Sequence, residues 1–156
     1  MNDAGVLVVG YGNSLRSDDG IGWHAAGRLA TDPRLDGARV LAKHQLVPEL
    51  AADVSQASLV VLVDAAADGD PGSLLVRRVQ PRPPTPAAWS HHLDPETLAG
   101  LAEALYGFTP PIVLVSVAAG SLAAGDRLSG ALERALPQVV EVVADVVAGR
   151  DVGGGR

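Results

Sequence analysis

The sequence predicts an α/β protein: a three-layer α/β/α sandwich around a mostly parallel, twisted sheet of about five strands, one edge strand of which can run antiparallel. Three observations predict it. Short continuous apolar runs at Val6–Val9, Leu59–Val63 and Ile112–Val117 read as strands covered on both faces, the habit of parallel sheets. Stretches with helical spacing alternate with them, and right-handed crossovers then place helices on both faces. Finally, 156 residues that are 47% hydrophobic but only 3% aromatic suit one domain whose core is built from Val, Leu and Ala.

Val6–Val9 is the first strand, bounded by Gly10, and a loop with Gly12, Asn13, Asp18 and Asp19 follows it. From Gly20 the spacing of Ile21, Ala25 and Leu29 predicts a helix to Ala30. Thr31-Asp32-Pro33 ends it, because proline disfavours helix in the residue before it. Ala38–Lys43 is the second strand, with His44-Gln45-Leu46 at its carboxyl end. Pro48 suits a first helical turn, and Glu49–Gln56 is amphipathic, with Leu50 and Val54 one turn apart. Leu59–Val63 is the third strand and ends in Asp64.

Asp68-Gly69-Asp70-Pro71-Gly72 is a dense turn signal, and Leu74–Val79 after it reads as a strand. The short connection suggests a neighbour of the preceding strand, at an edge, with Arg77 and Arg78 exposed. Four prolines within Pro81–Pro86 make Gln80–Leu93 a long loop. Asp94 is a good N-cap, Pro95 fits the first helical position, and Glu96 complements the helix dipole. That helix reaches Tyr106 and stops at Gly107. Ile112–Val117 is the last strand and Ser121–Arg127 a loop. From Ser129 onward Leu132, Leu136, Val140, Val143 and Val147 recur at helical spacing, interrupted or kinked at Pro137. There is no internal repeat; residues 1–149 read as one domain and 150–156 as a frayed tail.

A net charge of −6 argues against nucleic acid and anionic membrane surfaces as partners. With no cysteine there is no disulfide framework, thiolate metal site or cysteine nucleophile. The opening MNDAGVLVVG lacks a basic region and a long apolar run, which leads us to expect a soluble cytoplasmic protein.

In open α/β sheets ligands bind outside the carboxyl ends of the strands. Four features converge there: Asp18-Asp19, His44, Asp64, and Ser90-His91-His92 in the long loop. Carboxylates and imidazole together can hold a divalent metal such as nickel, zinc or iron, or position and activate water. Plainer roles are open as well. Asp18 and Asp19 both suit loop caps, His44 can bond backbone, and His24 falls on the exposed side of the first helix. Asp64 is harder to explain that way, because a carboxylate directly after five apolar residues is costly unless paired. Gly10-Tyr11-Gly12 does not begin a dinucleotide fingerprint: Leu15 stands where the third glycine belongs, and the acidic pair repels a pyrophosphate. No Walker lysine follows, and no G-x-S-x-G elbow exists.

Gly10-Tyr11-Gly12-Asn13-Ser14-Leu15-Arg16-Ser17-Asp18-Asp19-Gly20-Ile21-Gly22 resembles the opening motif of the hydrogenase maturation proteases, G-x-G-N-x-L-x-x-D-D/E-x-x-G. The likeness spans nearly the whole chain. Val63-Asp64-Ala65 is similar to the family's strand-end aspartate, Ser90-His91-His92 to its S-x-H element, and Ser116-Val117 to Leu128-Ser129 to its closing strand, loop and helix. These peptidases remove a C-terminal extension from the large-subunit precursor of nickel–iron hydrogenases after nickel insertion. The resemblance implies a nickel-recognising site at Asp19, Asp64 and His92, with His91 the alternative ligand. The metal it implies is nickel carried by the substrate protein, not a permanent cofactor. It also implies substrate contacts at Gly10, Gly12 and Asn13, and at His44 and Gln45, where other members have a glycine-rich segment.

The expected function is therefore an endopeptidase, aspartic-type or metal-assisted, acting as a monomer on such a precursor. Two rivals stay open: a processing protease for another precursor, and a non-enzymatic nickel-sensing chaperone or binding module. Asp18, beside the ligand position, is expected to support the loop.

Overall fold

Side-chain alternation along the strands divides the core into two halves. The computed structural model describes residues 5–86 and 93–149. Its five strands are β1 (Val6–Tyr11), β2 (Arg39–Lys43), β3 (Leu59–Ala66), β4 (Leu74–Arg78) and β5 (Ile112–Ala118), in the order β2-β1-β3-β5-β4. All neighbours are parallel except β4, which is antiparallel to β5. The helices are α1 (Ile21–Leu29), α2 (Leu50–Ser55), α3 (Pro95–Tyr106) and α4 (Gly130–Val147). Leu7, Val9, Leu62 and Leu114 pack with Leu50, Val54, Leu98 and Leu101, so α2 and α3 cover one face. Val8, Val61, Val63 and Val115 pack with Ile21, Leu29, Leu132 and Val139, so α1 and α4 cover the other. This is the expected three-layer α/β/α sandwich, with both faces of the sheet dry.

The α3 boundaries follow from its caps. The Asp94 carboxylate accepts the Thr97 N–H at 2.8 Å, and Gly107 closes the helix at φ 77° with its N–H on the Glu103 carbonyl. The α1 helix is preceded by a 3₁₀ turn, Ser17–Gly20, which carries both loop aspartates.

Five expectations change. β4 is not a neighbour of β3: β5 lies between them, and the turn before β4 crosses its carboxyl end, with the Gly72 N–H on the Ala118 carbonyl and the Ala118 N–H on the Ser73 carbonyl. β3 does not stop at Val63; its ladder with β5 continues through Asp64↔Ser116 to Ala66↔Ala118, so Asp64 is a strand residue. α4 runs unbroken through Pro137, which is exposed together with Glu133, so the carbonyl that loses its donor faces water. Arg77 is half-covered, its guanidinium paired with Glu96 at 2.6 Å, and His24 is half-buried. The expected tail, 150–156, lies outside the described residues.

From β1 the chain passes through α1 to β2 on one side and returns through α2 to β3 on the other. α1 and α2 lie on opposite faces, so the carboxyl ends of β1 and β3 flank the switch point, where open α/β sheets bind ligands.

Candidate active site

Glycines let α1 close onto this end of the sheet. A Cβ on Gly10 would land on the Gly22 carbonyl, and one on Gly22 would sit 2.5 Å from the Tyr11 nitrogen and 2.6 Å from the Val63 carbonyl oxygen. Gly12, at φ 144°, turns the chain where a side chain would meet the Asp19 carbonyl. Its N–H bonds the Lys43 carbonyl at 3.0 Å, and the Trp23 indole donates to the same oxygen at 2.9 Å, tying the loop to the end of β2.

The acidic pair divides its labour. Asp18 is wholly buried, at 0% exposure, the single buried polar side chain among the described residues. Its carboxylate accepts the Ser129 N–H (2.6 Å) and hydroxyl (2.7 Å), the Gly120 N–H (2.7 Å) and the Ser121 N–H (2.9 Å). Burial pushes this carboxyl up, but the bonds from Ser129, Gly120 and Ser121 outweigh it and hold it below the usual carboxylate range. Asp18 thus binds the first loop to the segment leading into α4. Ser17 reinforces the joint, with its N–H on the Gly125 carbonyl and its hydroxyl on the Ala123 carbonyl, at a left-handed φ of 50°.

Asp19 is half-buried; its Oδ2 accepts the Asn13 N–H at 2.8 Å, and its Oδ1 has no partner among the described residues. The Asn13 side chain in turn accepts the Leu15 N–H at 2.9 Å and shapes the loop. Asp64 is held from both sides: the Tyr11 hydroxyl donates to Oδ2 and the Ser116 hydroxyl to Oδ1, each at 2.8 Å. Burial raises its carboxyl above the usual range, against the lowering influence of Ser116, Tyr11 and the nearby Arg77 charge, while the Asp19 charge adds to the rise. Burial beside Asp64 also pushes the Tyr11 hydroxyl far up, so it stays a donor.

Asp19 and Asp64 are therefore brought together from two separate segments. Gly10, Gly12 and Asn13 lie directly beneath and beside them. His44 is exposed and Gln45 half-buried just beyond β2, and neither side chain makes a hydrogen bond among the described residues. Ser90, His91 and His92 lie outside the described residues; Leu93, next in sequence, donates its N–H to the Leu46 carbonyl at 3.4 Å. Among the described residues no group of three acidic or histidine side chains is arranged to hold a metal ion.

Sequence reasoning passed over Tyr11 as a partner of Asp64, and over Ser116 and Arg77. Strand parity held the signal for the first two: Tyr11 continues the Leu7, Val9 face, as Ser116 continues that of Ile112 and Leu114. Without the sheet order those positions could not be aligned with Asp64.

No protein-family model matches the chain, and no curated protein matches it. Solved structures do. The hydrogenase maturating endopeptidase HybD from E. coli is similar over 93% of this chain and 94% of its own, with 25% identity and a TM-score of 0.69. The fold is that of the hydrogenase maturation proteases. The NiFe hydrogenase maturation protease HycI from Thermococcus kodakarensis KOD1 shares it, with a TM-score of 0.70 at 22% identity and 93% coverage of both chains. A hydrogenase 2 maturation peptidase from Thaumarchaeota archaeon SCGC_AB-539-E09 aligns with a TM-score of 0.71 at 21% identity, over 92% of this chain and 98% of that one. On this maturation-protease fold the two partly open carboxylates, Asp19 and Asp64, occupy the switch point.

Proposed function

We propose that the protein is an endopeptidase that removes the C-terminal extension of a nickel–iron hydrogenase large-subunit precursor after nickel insertion, recognising the nickel in that substrate through Asp19, Asp64 and His92. The observation that carries this reading is the convergence of Asp19 and Asp64 at the switch point of a maturation-protease fold: Tyr11 and Asn13, two positions apart at the end of β1, donate to Asp64 and Asp19 respectively. Carboxylate oxygen and imidazole nitrogen are donors that nickel accepts, and three of them leave coordination positions for the precursor's own ligands.

In the cleavage step a carboxylate takes a proton from water, the oxygen adds to the scissile carbonyl carbon, and the proton passes to the departing amine as the peptide bond breaks. Asp64 suits the proton-accepting role, since burial strengthens it as a base while Tyr11 and Ser116 fix its plane. Nickel carried by the precursor would either polarise the scissile carbonyl or serve only to dock the bond beside the carboxylates. Gly10 and Gly12 let the backbone turn closely beneath the site, Asn13 shapes its loop, and Asn13, His44 and Gln45 are the side chains left to meet substrate there. No described helix is long and apolar enough to cross a membrane. We take the working unit as a monomer acting in the cytoplasm.

Incubation with a nickel-loaded precursor, followed by mass spectrometry, tests this. A product shortened at its C-terminus is expected, with no product from the nickel-free precursor and none from Asp19→Ala or Asp64→Ala. Tight binding without cleavage would make the protein a nickel-sensing chaperone instead.

A further inference from the structure

A lateral row of side chains leads from the candidate site to the open edge of the sheet. Gly10 is level with Val63, so Tyr11 is level with Asp64; Asp64 is level with Ser116, and Ser116 with Leu75 of β4. All four lie on the face shared with α2 and α3, because directly paired residues point the same way. The first three are joined by the hydrogen bonds to Asp64. The fourth, Leu75, is 61% exposed.

The next row on this face behaves differently. Val9, Leu62 and Leu114 are buried, and Arg77 ends that row on Glu96. A lone exposed leucine is ordinary on a protein surface. This one, however, ends the row that holds the catalytic carboxylate, with nothing polar in the row between them but Ser116. Its own backbone is not on offer: the bonds from Ala118 N–H to Ser73 and from Val79 N–H to Ile112 put residues 73, 75, 77 and 79 in the hydrogen-bonded register with β5. Only the side chain faces an arriving chain.

Strands lie ~4.8 Å apart, so Leu75 stands ~10 Å from Asp64 along the row, the reach of about three extended residues at ~3.3 Å each. We propose that Leu75 is an apolar subsite that takes a hydrophobic side chain of the precursor about three residues from the cleaved bond. This inference rests on the protease reading above. It makes Leu75 a specificity-determining residue: it supports docking and does no chemistry.

The test measures kcat and KM for the wild type, Leu75→Asp and Leu75→Met on the nickel-loaded precursor. The same enzymes then receive precursors in which each apolar residue within about four positions of the cleaved bond is singly replaced by lysine. Leu75→Asp is expected to raise KM about tenfold with kcat unchanged, and Leu75→Met to behave as the wild type. One lysine position should be processed poorly by the wild type and better by Leu75→Asp. Cleavage with equal KM for wild type and Leu75→Asp, or the absence of any such swapped position, overturns the subsite alone. Failure of the wild type to cleave any precursor overturns the protease reading and the subsite with it.

Discussion

The Ser116 hydroxyl reaches Oδ1 of Asp64 at 2.8 Å from the position level with it on the neighbouring strand. With the Tyr11 hydroxyl on Oδ2, it leaves Asp64 little rotational freedom. Both bonds favour the ionised carboxylate and oppose the larger effect of burial. Removing either by Ser116→Ala or Tyr11→Phe therefore lifts the Asp64 carboxyl further. Activity that needs ionised Asp64 should lose its acid side at higher pH than in the wild type. The kcat/KM profile against pH, fitted for its acid limb, checks this, and a limb that stays put or moves down would remove Asp64 as the titrating base.

Asp64 also sets stability against activity. Its folded carboxyl is raised above the unfolded value, so its contribution is fully present below the unfolded pKa of about 3.9 and is lost as pH rises through the folded value. At neutral pH the ionised group is a cost to the fold. Asp64→Asn keeps the shape and removes the charge. We expect processing to fall by about 10²-fold or more while the midpoint of thermal unfolding at pH 7 is unchanged or higher.

Asp18 carries the opposite sign. Its carboxyl is held below the usual range, so its stabilisation is present above the unfolded pKa of about 3.9 and disappears as pH falls through the folded value. Asp18→Asn removes the charge from four hydrogen bonds at a fully buried position and replaces one acceptor oxygen by a donor facing N–H groups. A loss of about 2–4 kcal/mol is expected in urea unfolding at pH 7, with a flatter dependence of stability on pH on the acid side. Because Asp18 also fixes the 3₁₀ turn that carries Asp19, processing should fall more than stability alone explains.

The fold was legible because its strands are continuous apolar runs and its helices announce their ends, as Asp94-Pro95 and Gly107 do for α3. What the local pattern could not show was which strands meet. A short link between β3 and β4 reads as a neighbouring pair, yet the turn of residues 67–73 spans the end of β5, and only hydrogen bonds to Ala118 reveal it. The same limit hid part of the site. Asp64 looked like a loop residue because the apolar run stops at Val63, while its pairing with Ser116 depends on a strand 52 residues away. Asp18 and Asp19 were separable by motif, but the partners that distinguish them, Ser129 for one and Asn13 for the other, are fixed by tertiary contact.

Pro137 offers a test of the helix it was expected to interrupt. It lies inside α4, with buried Leu136 before it and Val139 and Val140 following on the core side. Packing of that apolar face against the sheet outweighs the missing hydrogen bond, and the exposed position lets water serve the Glu133 carbonyl. The residual cost should be recoverable. Pro137→Ala restores an N–H donor and removes the ring's clash with the preceding turn, an effect of up to ~3 kcal/mol in a helix interior. With water already relieving the carbonyl, a gain of about 1–2 kcal/mol is expected, read as a higher urea midpoint at unchanged m-value. Processing should stay at the wild-type rate, since Pro137 lies two turns beyond Ser129, the N-cap through which α4 is tied to Asp18. A destabilised Pro137→Ala would mean that the ring itself fixes a bend the core packing needs.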